Sequence, residues 1–510
     1  MCGLLFVSNS KYSEKDFLSA LKTMAHRGPN NLEHRLIKRH FLGHVRLSIL
    51  DLDKRSNQPF SIGDFTLIYN GEIYNYKELI KEHNLETTTS SDTEVLLRLY
   101  IKYGKNCLDF LNGMFAFVVV NNKTGEFFAA RDRLGVKPLY YREINGSVII
   151  ASEIASILEL EPSKLDEFGL RQYRKLRMTI KGHTTYEQVK FFPPGCYFDG
   201  ASFTRYWDLN CERKKAPTDD ELEHLIVDAV EIRKRSDVPV GSYLSGGLDS
   251  TILSALLKPS HTWTVGFESL NEFEWANIAN SVIGSSHSQT KVTYAEFLET
   301  ARFMVKKRRE PLSVPNEVLL YLMTKVVSKK NTVVFSGEGA DELFWGYDRI
   351  FRWANQLESE VTISEFDKYY CYGSNVDNEV IDFALENLPG QKALDKVGYY
   401  FQIHHLQGLL RRLDNSTMLC GVEGRVPFVD FRLVEMMAGT PFDWRMGQSF
   451  KEPLKRVFKD IVPEEIVNRK KIGFPVPLND IFNVEAEDSM DAWLAFNLSE
   501  LGAPKLVDLK

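Results

Sequence analysis

The chain has 510 residues, more than one ordinary hydrophobic core accommodates, so two or three domains are expected. With 44% hydrophobic and 26% charged residues and a formal net charge of −6, it has the make-up of a globular protein and not of a general nucleic-acid or membrane-surface binder. Six cysteines (2, 107, 196, 211, 371 and 420) lie far apart with no CxxC pair, and no basic-then-apolar leader or membrane-length run occurs, so a cytoplasmic protein with free thiols is expected rather than a disulfide framework or zinc site.

The first residues, MCGLLFVSNS, read as a chain that begins inside a core, with Cys2 and a glycine leading straight into an apolar run. GLLFVS, FTLIYNG and SVIIASE are strand-like, and GMFAFVVVNNKTGEFFAARD reads as two strands around an NKTG turn. EKDFLSALKTM and DTEVLLRLYIKYG carry helical periodicity. Sheets with a few helices make the first domain, residues 2–206, α+β. A Pro-Pro-Gly and a charged, proline-containing segment then mark a boundary, after which Thr218 opens a helix with an acidic first turn. In residues 216–510 strands alternate with helices: VPVGSYLSGGLDSTILSALL is strand, loop, helix, and HTWTVGF and NTVVF are further strands. That alternation predicts a parallel-sheet α/β domain with many helices.

LSGGLDS, Leu244 to Ser250, lies where an apolar strand ends and a helix begins. Gly246 and Gly247 allow close backbone approach, and the free N–H groups of the helix start suit phosphates. Asp249 can hold Mg²⁺ against those phosphates, and the absence of a Walker lysine sets the loop apart from ordinary P-loops. FSGEGADE is a second loop of this kind after NTVVF, with Glu338, Asp341 and Glu342. Ligands of open α/β sheets bind beyond the C-terminal strand ends, so the two loops are expected to meet there. Asp249 and Asp341 would then share a metal ion, leaving Glu338 beside a reacting carboxyl.

These stretches, with GVEGRVPFVDFRLVE and the run from KEPLKR to VPEEIVNRKKIGFPVP, resemble the synthetase domain of glutamine-dependent asparagine synthetases, and SGGLDS resembles the pyrophosphate loop of N-type ATP pyrophosphatases. The resemblance implies that ATP adenylates an acceptor carboxylate, aspartate first, and that ammonia then displaces AMP. It implies a nucleotide site of Leu244, Ser245, Gly246, Gly247, Asp249, Ser250, Val265, Ser336 and Gly337, with Glu338 supporting the acyl-adenylate and Lys451 facing the departing phosphates. A cation suits that position independently, because charge builds on the leaving pyrophosphate.

Such a synthetase needs ammonia, and Cys2 can supply it. Freed of Met1, it carries a thiol and an α-amine whose ordinary pKa near ~8 makes it a usable base. The thiolate can attack the amide of glutamine. Arg46 in HVRLSILD suits the α-carboxylate of glutamine, and Asn70 and Gly71 in YNGEIYNY can form an oxyanion hole. Glu72 suits the α-amine, and Asp92 can hold the same amine, cap a helix, or do both. Together these residues resemble the class II glutamine amidotransferases, an N-terminal-nucleophile family with an αββα-type fold. The alternative for Cys2 is a small buried hydrophobe.

The remaining cysteines are expected to be structural, His26 and His44 have no evident catalytic partner, and NRKKIGF reads as a helix end with a solvated face. Other acceptors are open within the same chemistry, such as sugar acids of surface polysaccharides or secondary metabolites. A ring-closing relative or a decayed scaffold is disfavoured by the intact Cys2, Asp249, Glu338 and Asp341. Arg309 in RREPLSVPN and the DNSTMLCGVEGR stretch depart from the usual pattern and are expected near the acceptor. The expected partners are glutamine, ATP, an acceptor carboxylate and, as relatives often dimerise, a second copy, but neither nucleic acid nor a membrane.

Overall fold

The computed structural model describes residues 2–447, 449–470 and 473–503. Two six-stranded sheets lie face to face in the N-terminal half. The first runs Lys190–Phe191, Tyr140–Ile144, Ser147–Ala151, Gly3–Val7, His40–Arg46, Asn31–Ile37. The second runs Phe203–Arg205, Cys196–Phe198, Phe127–Arg131, Gly113–Asn121, Phe65–Ile73, Phe60–Ile62, and all pairings in both sheets are antiparallel.

The apolar runs follow from burial on both strand faces. Leu4, Phe6, Ile68, Ala116 and Val118 fill the layer between the sheets. The alternate residues Leu5 and Val7 pack under the helices Glu14–Lys22 and Ile154–Leu160, and Phe115, Phe117 and Tyr69 under Asp92–Tyr103. This is the αββα sandwich, and it puts Cys2 at the start of a central strand.

The helix Asp219–Arg233 opens the second half, with Thr218 and Glu221 forming a reciprocal capping box. Its sheet is wholly parallel, in the order Ser286–Val292, His261–Phe267, Val240–Tyr243, Val333–Phe335, Glu423–Arg425. The chain order along it is third, second, first, fourth, fifth, so the winding reverses between Val240–Tyr243 and Val333–Phe335. Both glycine loops leave the C-terminal ends of those two strands, at the switch point where ligands bind in such sheets.

A helical layer over residues 348–418 packs on the helix Glu167–Leu176 and the segment after it, through Leu176, Met178, Trp345, Phe351 and Phe401. One π-helical turn, Tyr400–His405, interrupts it, a local widening that often serves a site. Among the described residues no helix is long and apolar enough to cross a membrane, and the six cysteines are free.

Two joined candidate sites

Cys2 is 7% exposed, and its backbone N–H donates to Asn70 Oδ1 at 3.0 Å. Asn70 is fully buried, and its Nδ2 has no partner among the described residues. A buried amide donor without an acceptor beside a thiol is what an oxyanion hole requires. Burial pushes the Cys2 thiol up, so a base is needed to form the thiolate. Met1, whose removal would expose the α-amine, lies outside the described residues. Gly71 cannot be replaced cheaply, since a Cβ there would stand 2.1 Å from the Met114 carbonyl oxygen.

Asp92 does not cap its helix: Ser91 does, accepting from Thr93 N at 3.2 Å. Asp92 Oδ2 instead accepts from Tyr69 Oη and Ile73 N, both at 2.8 Å. Burial pushes Asp92 up to about 6, and burial with Glu423 and Asp92 nearby pushes Glu72 well up. Three carboxyl groups crowded together in low dielectric favour a bound cation such as an ammonium group. Arg46 clamps its own loop, donating from Nη1 to Asp53 O at 2.8 Å and Asn57 Oδ1 at 2.7 Å, and from Nη2 to Leu50 O at 3.3 Å and to Asp51 O. Its guanidinium therefore holds the pocket's rim in addition to any role toward a ligand.

The segment AHRGPN, residues 25–30, contributes Arg27. Its Nε donates to Cys2 O at 3.0 Å, and Nη1 and Nη2 reach Glu153 at 3.1 Å and Asp414 at 2.8 Å. His26 also meets Glu153 at 3.0 Å. Burial alone would raise Glu153, but His26 and Arg27 outweigh it and hold the group at about 2, below its ordinary 4.5. A depressed carboxylate stabilises the fold above its unfolded pKa and loses that contribution as pH falls through the folded value. Denaturation midpoints measured against pH should therefore fall between pH 4.5 and about 2, and Glu153→Gln should flatten that stretch of the curve while lowering stability at neutral pH. His44 has no catalytic partner: it meets Tyr69 O at 3.0 Å, and burial drives its pKa to about 3.

The second site is a cavity of about 850 Å³ at the switch point, lined by Leu244, Ser245, Gly247, Asp249, Ser250, Val265, Ser336, Gly337, Glu338, Asp341 and Lys451. Gly246 has φ 71°, and a Cβ on it would stand 2.2 Å from the Trp275 backbone, so only glycine lets this loop lie on the neighbouring helix. Asp249 and Asp341 converge on the buried Lys451 ammonium, at 2.5 and 2.6 Å. Burial opposes the charge on Lys451, but the two carboxylates outweigh it and hold the amine protonated. Gly346 makes room for this triad, because its Cβ would fall 1.8 Å from Asp341 Oδ1.

Glu338 pairs with Arg412, which also donates to Asn316 Oδ1 at 3.0 Å. Arg469 of NRKKIGF faces inward instead of to solvent: it donates to Gly246 O at 3.0 Å, pairs with Glu272 and stacks on Trp275. Lys471 and Ile472 of that stretch lie outside the described residues. Arg309 is not at the cavity. It is 44% exposed and faces Glu159 at 3.5 Å, because it ends its helix in a left-handed turn on the surface.

The strand Glu423–Arg425 joins the two sites. Arg425 O accepts from Ser336 N at 2.9 Å beside the acidic loop, while its guanidinium binds Glu423 at 2.5 Å and reaches Glu72 at 3.7 Å. Asp414 completes the junction, meeting Arg27 and, at 3.5 Å, Lys137.

The family model described as asparagine synthase matches residues 221–507, and that described as glutamine amidotransferase domain matches 1–207. The chain belongs to the glutamine-hydrolysing asparagine synthetase family. With that family it is a ligase that takes glutamine as amido donor. Glutamine-hydrolysing asparagine synthetase 1 of Bacillus subtilis is 31% identical, covering 97% of this chain and 91% of its own, and asparagine synthetase 3 of the same organism is 30% identical over 93% and 87%. Amidase chry2 of Gibberella zeae is 27% identical over 94% of this chain and 89% of its own. Family membership with near-complete coverage thus extends over both sites.

Proposed function

We propose that the chain amidates a carboxylic acid through an acyl-adenylate, using ammonia released from glutamine at Cys2, with residues 2–206 and 216–510 performing the two half-reactions. The observation that carries this reading is the strand Glu423–Arg425, which touches the Cys2 pocket through Glu72 and the acidic loop through Ser336.

In the first half-reaction the α-amine freed by removal of Met1 takes the thiol proton, and Cys2 Sγ attacks the amide carbon of glutamine. Asn70 Nδ2 and the Gly71 N–H hold the oxyanion, and Glu72 and Asp92 hold the α-ammonium. Ammonia leaves, and water hydrolyses the thioester to glutamate. Leu47, Ile49 and Met114 share one apolar cluster with Val422, Val426 and Leu244, a dry route by which neutral ammonia can pass.

In the second half-reaction the acceptor carboxylate attacks the α-phosphorus of ATP and pyrophosphate leaves. Lys451 and the N–H groups at the start of the helix Leu248–Leu257 hold the departing charge. Asp249 and Asp341, which already meet on one cation, would hold Mg²⁺. Bound there, the ion would neutralise charge on the phosphates. Among the described residues no group of three or more side chains is placed to hold a metal by itself. Ammonia then attacks the acyl carbon beside Glu338, AMP leaves, and the amide loses its extra proton. Aspartate is the acceptor that the relatives' names suggest. A second reading changes only the acceptor, and the Arg177 guanidinium in the cavity wall favours one with a further anionic group. On this reading the enzyme is cytoplasmic and pairs with a second copy.

The test is pyrophosphate release from ATP and Mg²⁺ with ammonia supplied directly, screened over carboxylic acids. Release of AMP and pyrophosphate with at least one acid, and an amide product, is expected. Silence with every acid, or ADP and phosphate as products, would overturn the reading.

A further inference from the structure

Three of the cations lining the cavity sit on carboxylates. Lys451 sits on Asp249 and Asp341, Arg412 on Glu338, and Arg469 on Glu272. Arg349 and Lys455, which line it too, donate to Lys368 O and Ser449 Oγ, each at 3.2 Å, whereas the Arg177 guanidinium is not matched. Among the described residues it meets no carboxylate and no hydrogen-bond acceptor. Its Nε is buried without a partner, and its guanidinium lies 3.4 Å from the centroid of the Tyr372 ring. A partly desolvated guanidinium facing a cavity without an anion is costly unless a ligand supplies one.

Arg177 comes from the C-terminal end of the helix Glu167–Leu176, in the half of the chain that carries Cys2, so it is foreign to the glycine loops. Between it and Glu338 runs a polar wall. Tyr347 Oη donates to Glu342 Oε1 at 2.6 Å, His405 Nε2 lies 3.8 Å from the same oxygen, and His405 Nδ1 meets Tyr370 Oη at 2.9 Å. Burial and then the Arg177 and Arg412 cations push His405 down to about 3, so its ring is neutral at physiological pH. The cavity therefore has an ATP end with Glu338 and Lys451, an aromatic middle, and the unmatched Arg177 guanidinium at the far side.

We propose that the acceptor is a carboxylic acid longer than aspartate that carries a second anionic group, with the reacting carboxyl between Glu338 and Lys451 and the second anion on Arg177. A bidentate arginine–anion pair would fix the length of the acceptor and present the far carboxyl to ATP. This rests on the amidation reading, and it adds a specificity residue supplied by the glutaminase half.

The experiment measures ammonia-dependent pyrophosphate release with aspartate, adipate, galacturonate and digalacturonate, on the unaltered chain and on Arg177→Gln and Arg177→Lys. One of the two longer diacids should give the highest kcat/KM, and which of them does separates a linear from a sugar acceptor. Arg177→Gln should raise KM for that diacid by about tenfold to a hundredfold, the loss typical of a charge-assisted pair, and Arg177→Lys should restore part of it. KM for the monoacid galacturonate should not move, which a general folding defect would not spare. Preference for aspartate or galacturonate, or an unchanged KM in Arg177→Gln, would overturn the proposal while leaving amidation standing. Silence with all four acids, repeated over the wider acid screen, would remove the amidation reading and this inference with it.

Discussion

Cys2→Ala should abolish glutamine-dependent amide formation, by a factor on the order of 10³ or more, and leave ammonia-dependent pyrophosphate release within about twofold of the unaltered chain. The large loss follows because no other thiol stands beside the Asn70 amide: Cys107 and Cys196 are buried in the sandwich, and burial raises their thiols. The sparing follows because the Cys2 side chain contributes little to packing, its Sγ lying 3.9 Å from Leu47 O, while its backbone N–H bond to Asn70 survives the substitution. Glutamate release and pyrophosphate release, measured separately, check both halves. Loss of both would mean that Cys2 supports the fold instead of the chemistry.

Lys451→Met should do the reverse. Removing the ammonium on which Asp249 and Asp341 converge takes away the fixed cation at the leaving pyrophosphate, and ammonia-dependent release should fall by about 10²- to 10³-fold. Methionine keeps much of the buried stem of Lys451, so the cavity should not collapse. Glutamine hydrolysis at Cys2 should continue, now without amide product. Pyrophosphate release within tenfold of the unaltered chain would show that Lys451 only balances two carboxylates.

The two substitutions divide the molecule along a line that much of the sequence already drew. Strands buried on both faces, such as Gly113–Asn121, are unbroken apolar runs, and a turn such as NKTG separates them visibly. Two glycine loops after short apolar strands were legible for the same reason, and so was Cys2 with Asn70. The edge strand Ser286–Val292 was not, because SHSQTKV is polar and only its Val292 is buried. Glu423–Arg425 was hidden differently: two charges around a glycine look like a loop, yet they are buried against each other and against Glu72. Arg27, Arg412 and Arg469 act through partners far away in the chain, at separations that local pattern cannot measure. Gly346 carried a signal only in retrospect, as a small residue after FW where a side chain would strike Asp341. Arg309 misled because its place in the linear motif suggested the acceptor, while a left-handed helix end turns it to the surface.

One measurement bears most directly on the coupled reaction. The chain would be given ATP, Mg²⁺, the acid selected by the pyrophosphate screen, and glutamine labelled with ¹⁵N in its side-chain amide, in the presence of excess unlabelled ammonium. Passage of nitrogen from Cys2 to the acyl-adenylate inside the molecule predicts a product amide carrying mostly ¹⁵N, with pyrophosphate and glutamate formed in equal amounts. A product labelled only in proportion to the mixed pool, or glutamate formed without pyrophosphate, would contradict it.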